Sequence, residues 1–187
     1  MLYHQPNAKR RWYAVNGKKQ IQQAYASILD NDFEQAIRSF EQAIKLEPDN
    51  PEYHFRLSIT YARSGKLSSA LKHAQRACEL EPAHETYRYQ LLHLQAMELV
   101  REAEILAEAG GRRRLRQATR LLREAILKDP LSLEAYLLLS AVHAELGNFR
   151  LAAEAAQEAL KLNPQHEDVL QHIKRYHDQF APYMIIE

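Results

Sequence analysis

Glycine and cysteine are scarce in this chain, at five and one among 187 residues, and the formal net charge is only +1. One cysteine cannot close a disulfide or build a cysteine metal cage, so Cys78 is expected to be a buried, reduced thiol. The sequence has no glycine-rich phosphate loop, no His-Glu-x₂-His run and no Cys-x₂-Cys pair, which removes the commonest signals of nucleotide and metal chemistry. Nine histidines are present, but His54, His73, His84, His93 and His143 are scattered, and the five-residue step from His172 to His177 takes them off one helix face. They are read as surface or groove-edge residues, and no metal, cofactor or catalytic residue is assigned. Long apolar runs are also missing. None approaches the roughly 18 residues that cross a bilayer, and the opening of the chain lacks the apolar stretch of a secretion signal, so the expected location is the cytoplasm. A composition of 46% hydrophobic and 26% charged residues fits one continuous globular domain.

What the chain does have is a repeat. A pattern of small residues closed by a proline recurs as Ala36/Phe40/Ala43/Pro48, Ala70/Ala74/Ala77/Pro82, Ala118/Leu122/Ala125/Pro130 and Ala152/Ala156/Ala159/Pro164. The prolines are separated by 34, 48 and 34 residues, a period of 34 with one insertion of 14. That period marks a helix-turn-helix solenoid. The alanines let two antiparallel helices approach until their ridges interlock. Leu57/Ser58/Tyr61/Gly65/Leu67 and Leu139/Ser140/His143/Gly147/Phe149 supply the first helix and turn of the second and fourth units. Gly65 and Gly147 fit left-handed helix stops, and Asn31 takes the same place in the first unit.

On these residues the chain resembles the tetratricopeptide repeat (TPR) family, over roughly residues 17 to 164. The resemblance implies an all-α right-handed superhelix of helix pairs, an α-solenoid, whose first helices line a concave groove. Four units are expected, at about 17–50, 51–84, 85–130 with the insertion, and 131–164. Two features depart from the family pattern: Gln20 and Gln23 stand where apolar residues are usual, and the third unit is lengthened.

Residues 1–17 read as a basic extension holding the aromatic run Trp12-Tyr13-Ala14-Val15. Helix pairs are predicted at about 18–30 with 32–46 and 52–64 with 67–80. A single long helix follows over 84–109, then a basic helix over 113–128 and a pair at 132–146 with 149–162. A last helix over 166–180, with Leu170, Ile173, Tyr176 and Phe180 on one face, is expected to cap the solenoid. Residues 182–187 form an apolar tail. The long helix either lines the groove at its start and partners the basic helix at its end, or projects beyond its neighbours, and the superhelix is expected to be offset at that point.

Carried over from the family, the inward positions are Ile21 and Tyr25, Phe55 and Ile59, Tyr89 and His93, Leu137 and Ala141. Arg56, Arg63 and Gln90 lie at the rim. The family's carboxylate clamp would fall on Ile21, Tyr25, Arg56, Thr86 and Gln90, and that set of residues lacks it. The resemblance therefore implies a non-enzymatic adaptor or chaperone-like scaffold that holds an apolar or amphipathic peptide segment of another protein. Two other readings stand beside it. The Trp12–Val15 run or the Tyr183–Ile186 tail could fill the groove of its own chain or of a second copy, making a homo-oligomer. Alternatively, Arg112, Arg113, Arg114, Arg116, Arg120 and Arg123, with the basic N-terminal arm, could bind nucleic acid or an acidic surface. The near-zero net charge weighs against nucleic acid, as do Glu98, Glu102, Glu104 and Glu108 on the preceding helix, which could pair with the arginines.

Overall fold

The computed structural model describes residues 6–183, with side chains from Gly17 onward except at position 177. Among them the secondary structure is helical throughout: α1 (Pro6–Leu29), α2 (Phe33–Leu46), α3 (Pro51–Arg63), α4 (Leu67–Leu80), α5 (Glu85–Glu108), α6 (Arg112–Lys128), α7 (Leu133–Glu145), α8 (Phe149–Leu162), α9 (Glu167–Arg175) and α10 (His177–Phe180).

The proline of each unit starts a tight turn. The amide of Asn50 donates to the carbonyl of Glu47, and His84, Ser132 and His166 repeat this bond with Glu81, Asp129 and Asn163. Pro48, Pro82, Pro130 and Pro164 thus occupy the second turn position, where a fixed φ is already correct. The other type of turn is equally regular. Asn31, Gly65 and Gly147 adopt φ of 58°, 75° and 77°, and the amides of Asp32, Lys66 and Asn148 reach back to the carbonyls of Ser27, Tyr61 and His143. This is the left-handed stop expected of those three residues.

Two compact units divide the chain, one up to Leu94 and one from Gln95, where the sequence suggests a single continuous domain. In the first, α1 packs on α2, α2 on α3 and α3 on α4. Phe40, Leu57 and Leu94 are fully buried there, with Ala36, Ala43, Ala70, Ala74 and Ala77 at the helix contacts. In the second, Ala118, Leu122, Ala125, Ala152, Ala156 and Ala159 are likewise removed from solvent. The long helix takes part in both cores. Leu91 and Leu94 pack in the first unit's core, and Ala96 and Ala103 pack with Leu115, Ala118 and Leu122 of α6 in the second.

Helical backbone continues from α1 back to Pro6, so Trp12–Val15 is part of a helix rather than an extended arm. Gly17 falls inside that helix because a Cβ there would lie 2.5 Å from Glu47 Oε1 and 3.3 Å from the Tyr53 hydroxyl. The Met184–Ile186 part of the apolar tail lies outside the described residues.

At the other end the cap is built from α9 and α10, which both pack on α8. Phe180 is fully buried with Ala152, Ala153 and Ala156, and Ile173 and Tyr176 pack against them. Leu170, expected on this face, is instead 47% exposed, and Val169 is fully buried in its place. The helix breaks at Tyr176, so one helical face does not run from 166 to 180. The Ser140 hydroxyl donates to the Ala152 carbonyl at 2.7 Å, which leaves its oxygen to accept from His172 Nε2 at 2.8 Å and ties the cap to α7 and α8.

Candidate functional site

The first unit presents its first helices, α1 and α3, together with the opening turns of α5. Glu52, in the first turn of α3, organises this face. Its carboxylate accepts from Arg56 Nε at 2.5 Å and from the Tyr87 hydroxyl at 3.1 Å, linking α3 to α5. Burial, aided by that bond, pushes the Tyr87 phenol up to about 12, so it remains a donor throughout the neutral range. The Arg56 guanidinium then lies 5.9 Å from the centre of the Tyr25 ring and 5.6 Å from that of Phe55. Its two terminal nitrogens make no hydrogen bond among the described residues. Held by one nitrogen and stacked against two rings, Arg56 is a pre-oriented donor toward solvent.

Sequence reasoning places eleven residues at the groove, and the structure divides them. Tyr25 and Tyr89 are open, at 40% and 70% exposure. Tyr25 also leans edge-on against the Phe40 ring, with centroids 6.0 Å apart, and Tyr89 shares a shallow hollow with Glu85, Arg88 and Leu92. Phe55 is corrected from groove contact to core. It is 8% exposed and packs with Tyr87 at 4.9 Å in a cluster with Ala77, Ile59 and Cys78. Ile21 is likewise half-buried against the first unit's core. Arg63 stands over the Phe33 ring at 4.8 Å, at the start of α2 and away from the Glu52 network. Gln90 is half-buried and His93 exposed on α5, whereas Leu137 and Ala141 are half-buried on α7 of the second unit.

Glu52 and Tyr87 are the two contributors that the sequence did not single out. An i, i+4 Glu–Arg step on the first helix of a unit was the available signal. Cys78 is half-buried, and burial raises its thiol above the ordinary value, which suits an inert side chain.

In the second unit the arginines of α6 do not pair with α5. Arg112, Arg113, Arg116, Arg120 and Arg123 are exposed and form no ion pair among the described residues. Glu98 is engaged by Arg101 of its own helix at 3.1 Å. No group of histidine, cysteine or acidic side chains among the described residues could hold a metal ion, and none of their helices is long and apolar enough to cross a membrane.

The tetratricopeptide repeat family matches residues 28–85 and 106–167. Solved structures agree on the fold. A MamA chain from Desulfovibrio magneticus RS-1 superposes with a TM-score of 0.55 at 19% identity, covering 90% of this chain and 89% of its own. YrrB, described as a tetratricopeptide repeat protein with an unusual peptide-binding site, gives 0.52 at 20% identity, covering 90% and 84%. A repeat protein from Parabacteroides merdae gives 0.51 at 18% identity, covering 90% and 64%. No curated protein sequence matches the chain.

Proposed function

Since the chain belongs to the tetratricopeptide repeat family, we propose that it is a non-enzymatic interaction scaffold whose first unit holds an apolar or amphipathic peptide segment of another protein. The observation that carries this reading is Arg56, fixed by Glu52 and by the Tyr25 and Phe55 rings with its terminal nitrogens making no hydrogen bond among the described residues. Such a donor suits a carbonyl or carboxylate of a bound peptide. The exposed Tyr25 and Tyr89 rings offer apolar area at low entropy cost on the first helix and on α5. The partner side chains that suit them are apolar, with a polar group at the spacing of Arg56.

The test is capture of protein partners from native lysate by the wild-type chain and by a Tyr25→Ala/Tyr89→Ala variant, with identification by mass spectrometry and affinity measured on the recovered partner. The double variant is expected to remain folded and to bind at least about tenfold more weakly, as for two central aromatic contacts. An identical set of partners at unchanged affinity would sink the reading.

A further inference from the structure

The repeat allows the two units to be compared residue by residue, because positions 82 apart are equivalent across the insertion. In the first unit the edge between α2 and the α3–α4 turn is internally satisfied. Glu34 pairs with Lys66 at 2.5 Å, and Glu41 accepts from the Tyr61 hydroxyl at 2.6 Å. The equivalent residues of the second unit are Arg116 with Asn148 and Arg123 with His143, and Asp30 corresponds to Arg112. The acceptors Glu34 and Glu41 have become donors, and although the opposing side carries Glu145 and Glu154 where the first unit has Arg63 and Lys72, neither forms an ion pair with Arg112, Arg116 or Arg123 among the described residues.

The structure records the consequence as a hollow between α6 and the α7–α8 turn, lined by Arg112, Arg116, Arg123, His143 and Asn148, with Leu146 and Leu151 as its apolar wall. His143 is only 4% exposed, and its Nδ1 has no hydrogen-bond partner among the described residues, although its counterpart Tyr61 has one. Asn148 precedes α8 but its side chain does not cap that helix, so the helix's positive end is left open as well. Two carboxylates stand nearby without neutralising the set. Glu145 lines an adjoining hollow with Arg112, and Glu154, which acts on His143 electrostatically, is engaged by Arg150.

We propose that this hollow is a binding site for an extended acidic peptide segment, whose carboxylates supply the acceptors that the first unit provides from its own chain. The length of the stripe decides against a single small anion. Arg112, Arg116 and Arg123 fall on one face of α6 and span about 16 Å of helix axis, the length of roughly five residues of extended chain. The aliphatic wall decides against nucleic acid, because the hollow has no phenylalanine, tyrosine or tryptophan ring for bases to stack on and its one imidazole, His143, is only 4% exposed. This site shares no residue with the Tyr25/Arg56/Tyr89 face, so the two readings fail separately.

The probe is a fluorescein-labelled peptide of sequence Glu-Glu-Leu-Glu-Glu-Leu, titrated with the full chain at low salt and followed by anisotropy. Inorganic phosphate and single-stranded oligothymidylate are tested as competitors. Binding is expected to weaken about tenfold or more in Arg116→Glu/Arg123→Glu and to be unchanged in Lys45→Glu, a charge-reversing substitution on α2, and in Tyr25→Ala/Tyr89→Ala. Arg123→Glu alone restores the acid opposite His143 and is expected to give a folded protein that binds the peptide poorly. The bound peptide should also move the imidazole resonances of His143 and leave those of His73 in place. Absence of peptide binding, equal weakening in Lys45→Glu, or unmoved His143 signals would overturn the site. Displacement by micromolar phosphate would make it a small-anion site, and preferential binding of the oligonucleotide with the same arginine dependence would make it a nucleic-acid surface. Either result overturns the proposal.

Discussion

Individual side chains separate stability from recognition most clearly at Phe55 and Tyr89. Both were read as groove residues from the family register, yet one is 8% and the other 70% exposed. Phe55→Ala should therefore cost about 3 kcal/mol of stability by opening a cavity beside Tyr87 and Ala77. Tyr89→Ala should fall within about 0.5 kcal/mol of wild type, as for a surface residue. Urea denaturation of the two variants in parallel checks this, and equal destabilisation would refute the division. The reason the sequence could not make it is geometric. On a first helix the line facing the next unit and the line facing the groove are adjacent, and a neighbouring tyrosine such as Tyr87 decides which of them an aromatic residue joins. His143 reads in the sequence as a scattered histidine and a repeat position, because its further meaning depends on Arg123, twenty residues away and on another helix.

At the scale of elements, the most legible features were those set by local chemistry. The alanine lines, the proline turns and the three left-handed stops all lie where residue type alone put them. Gly147 offers a direct test, because an alanine forced to keep its φ of 77° incurs a backbone cost of about 1 kcal/mol. Gly147→Ala should lower the thermal midpoint, whereas Gly147→Asn should recover part of the loss, since Asn31 makes the same kind of left-handed stop after α1 with a φ of 58°. Less legible was the cap. A single amphipathic stripe predicts Leu170 as a packing residue, but the side chains that pack are Val169, Ile173, Tyr176 and Phe180, spaced four, three and four apart, and Leu170 lies one position off that stripe. Helix α1 begins earlier than the sequence suggests: Asn16-Gly17 reads as a turn, while the constraint on Gly17 is the Glu47–Tyr53 pair pressed against it.

Across the whole molecule, buried and half-buried histidines give both units the same response to acid. In the first, burial and the neighbouring His54 lower His73 from 6.5 to about 4. The pair is fixed by His54 Nε2 donating to the Pro48 carbonyl at 3.0 Å, which leaves His54 Nδ1 to accept from His73 Nδ1, also at 3.0 Å. In the second unit burial lowers His143, with Arg123 adding to the effect, and burial likewise lowers His172, with Arg175 adding. A depressed folded-state value means that the unfolded chain takes up protons first. Stability is complete above pH 6.5 and declines as pH falls toward about 4, below which the His73 contribution is fully lost. Denaturation midpoints measured at about pH 7.5 and about pH 5 should drop in that order, and His73→Asn should flatten the part of the decline that belongs to the first unit. A midpoint that holds or rises on acidification would contradict the neutral His54–His73 pair.

The correspondence of positions 82 apart has a meaning in evolutionary terms. Because turns, stops and alanine contacts are shared by both copies, the residues that make the fold are not the ones that differ. Arg116, Arg123 and Asn148 stand where the first unit has Glu34, Glu41 and Lys66, and although α6 begins three residues earlier than its counterpart, the end of that helix and the bounds of the next two coincide in both copies. Duplication followed by drift at such edge positions gives a lineage a low-risk way to try new specificities, since one copy can explore while the other keeps its inherited pairing.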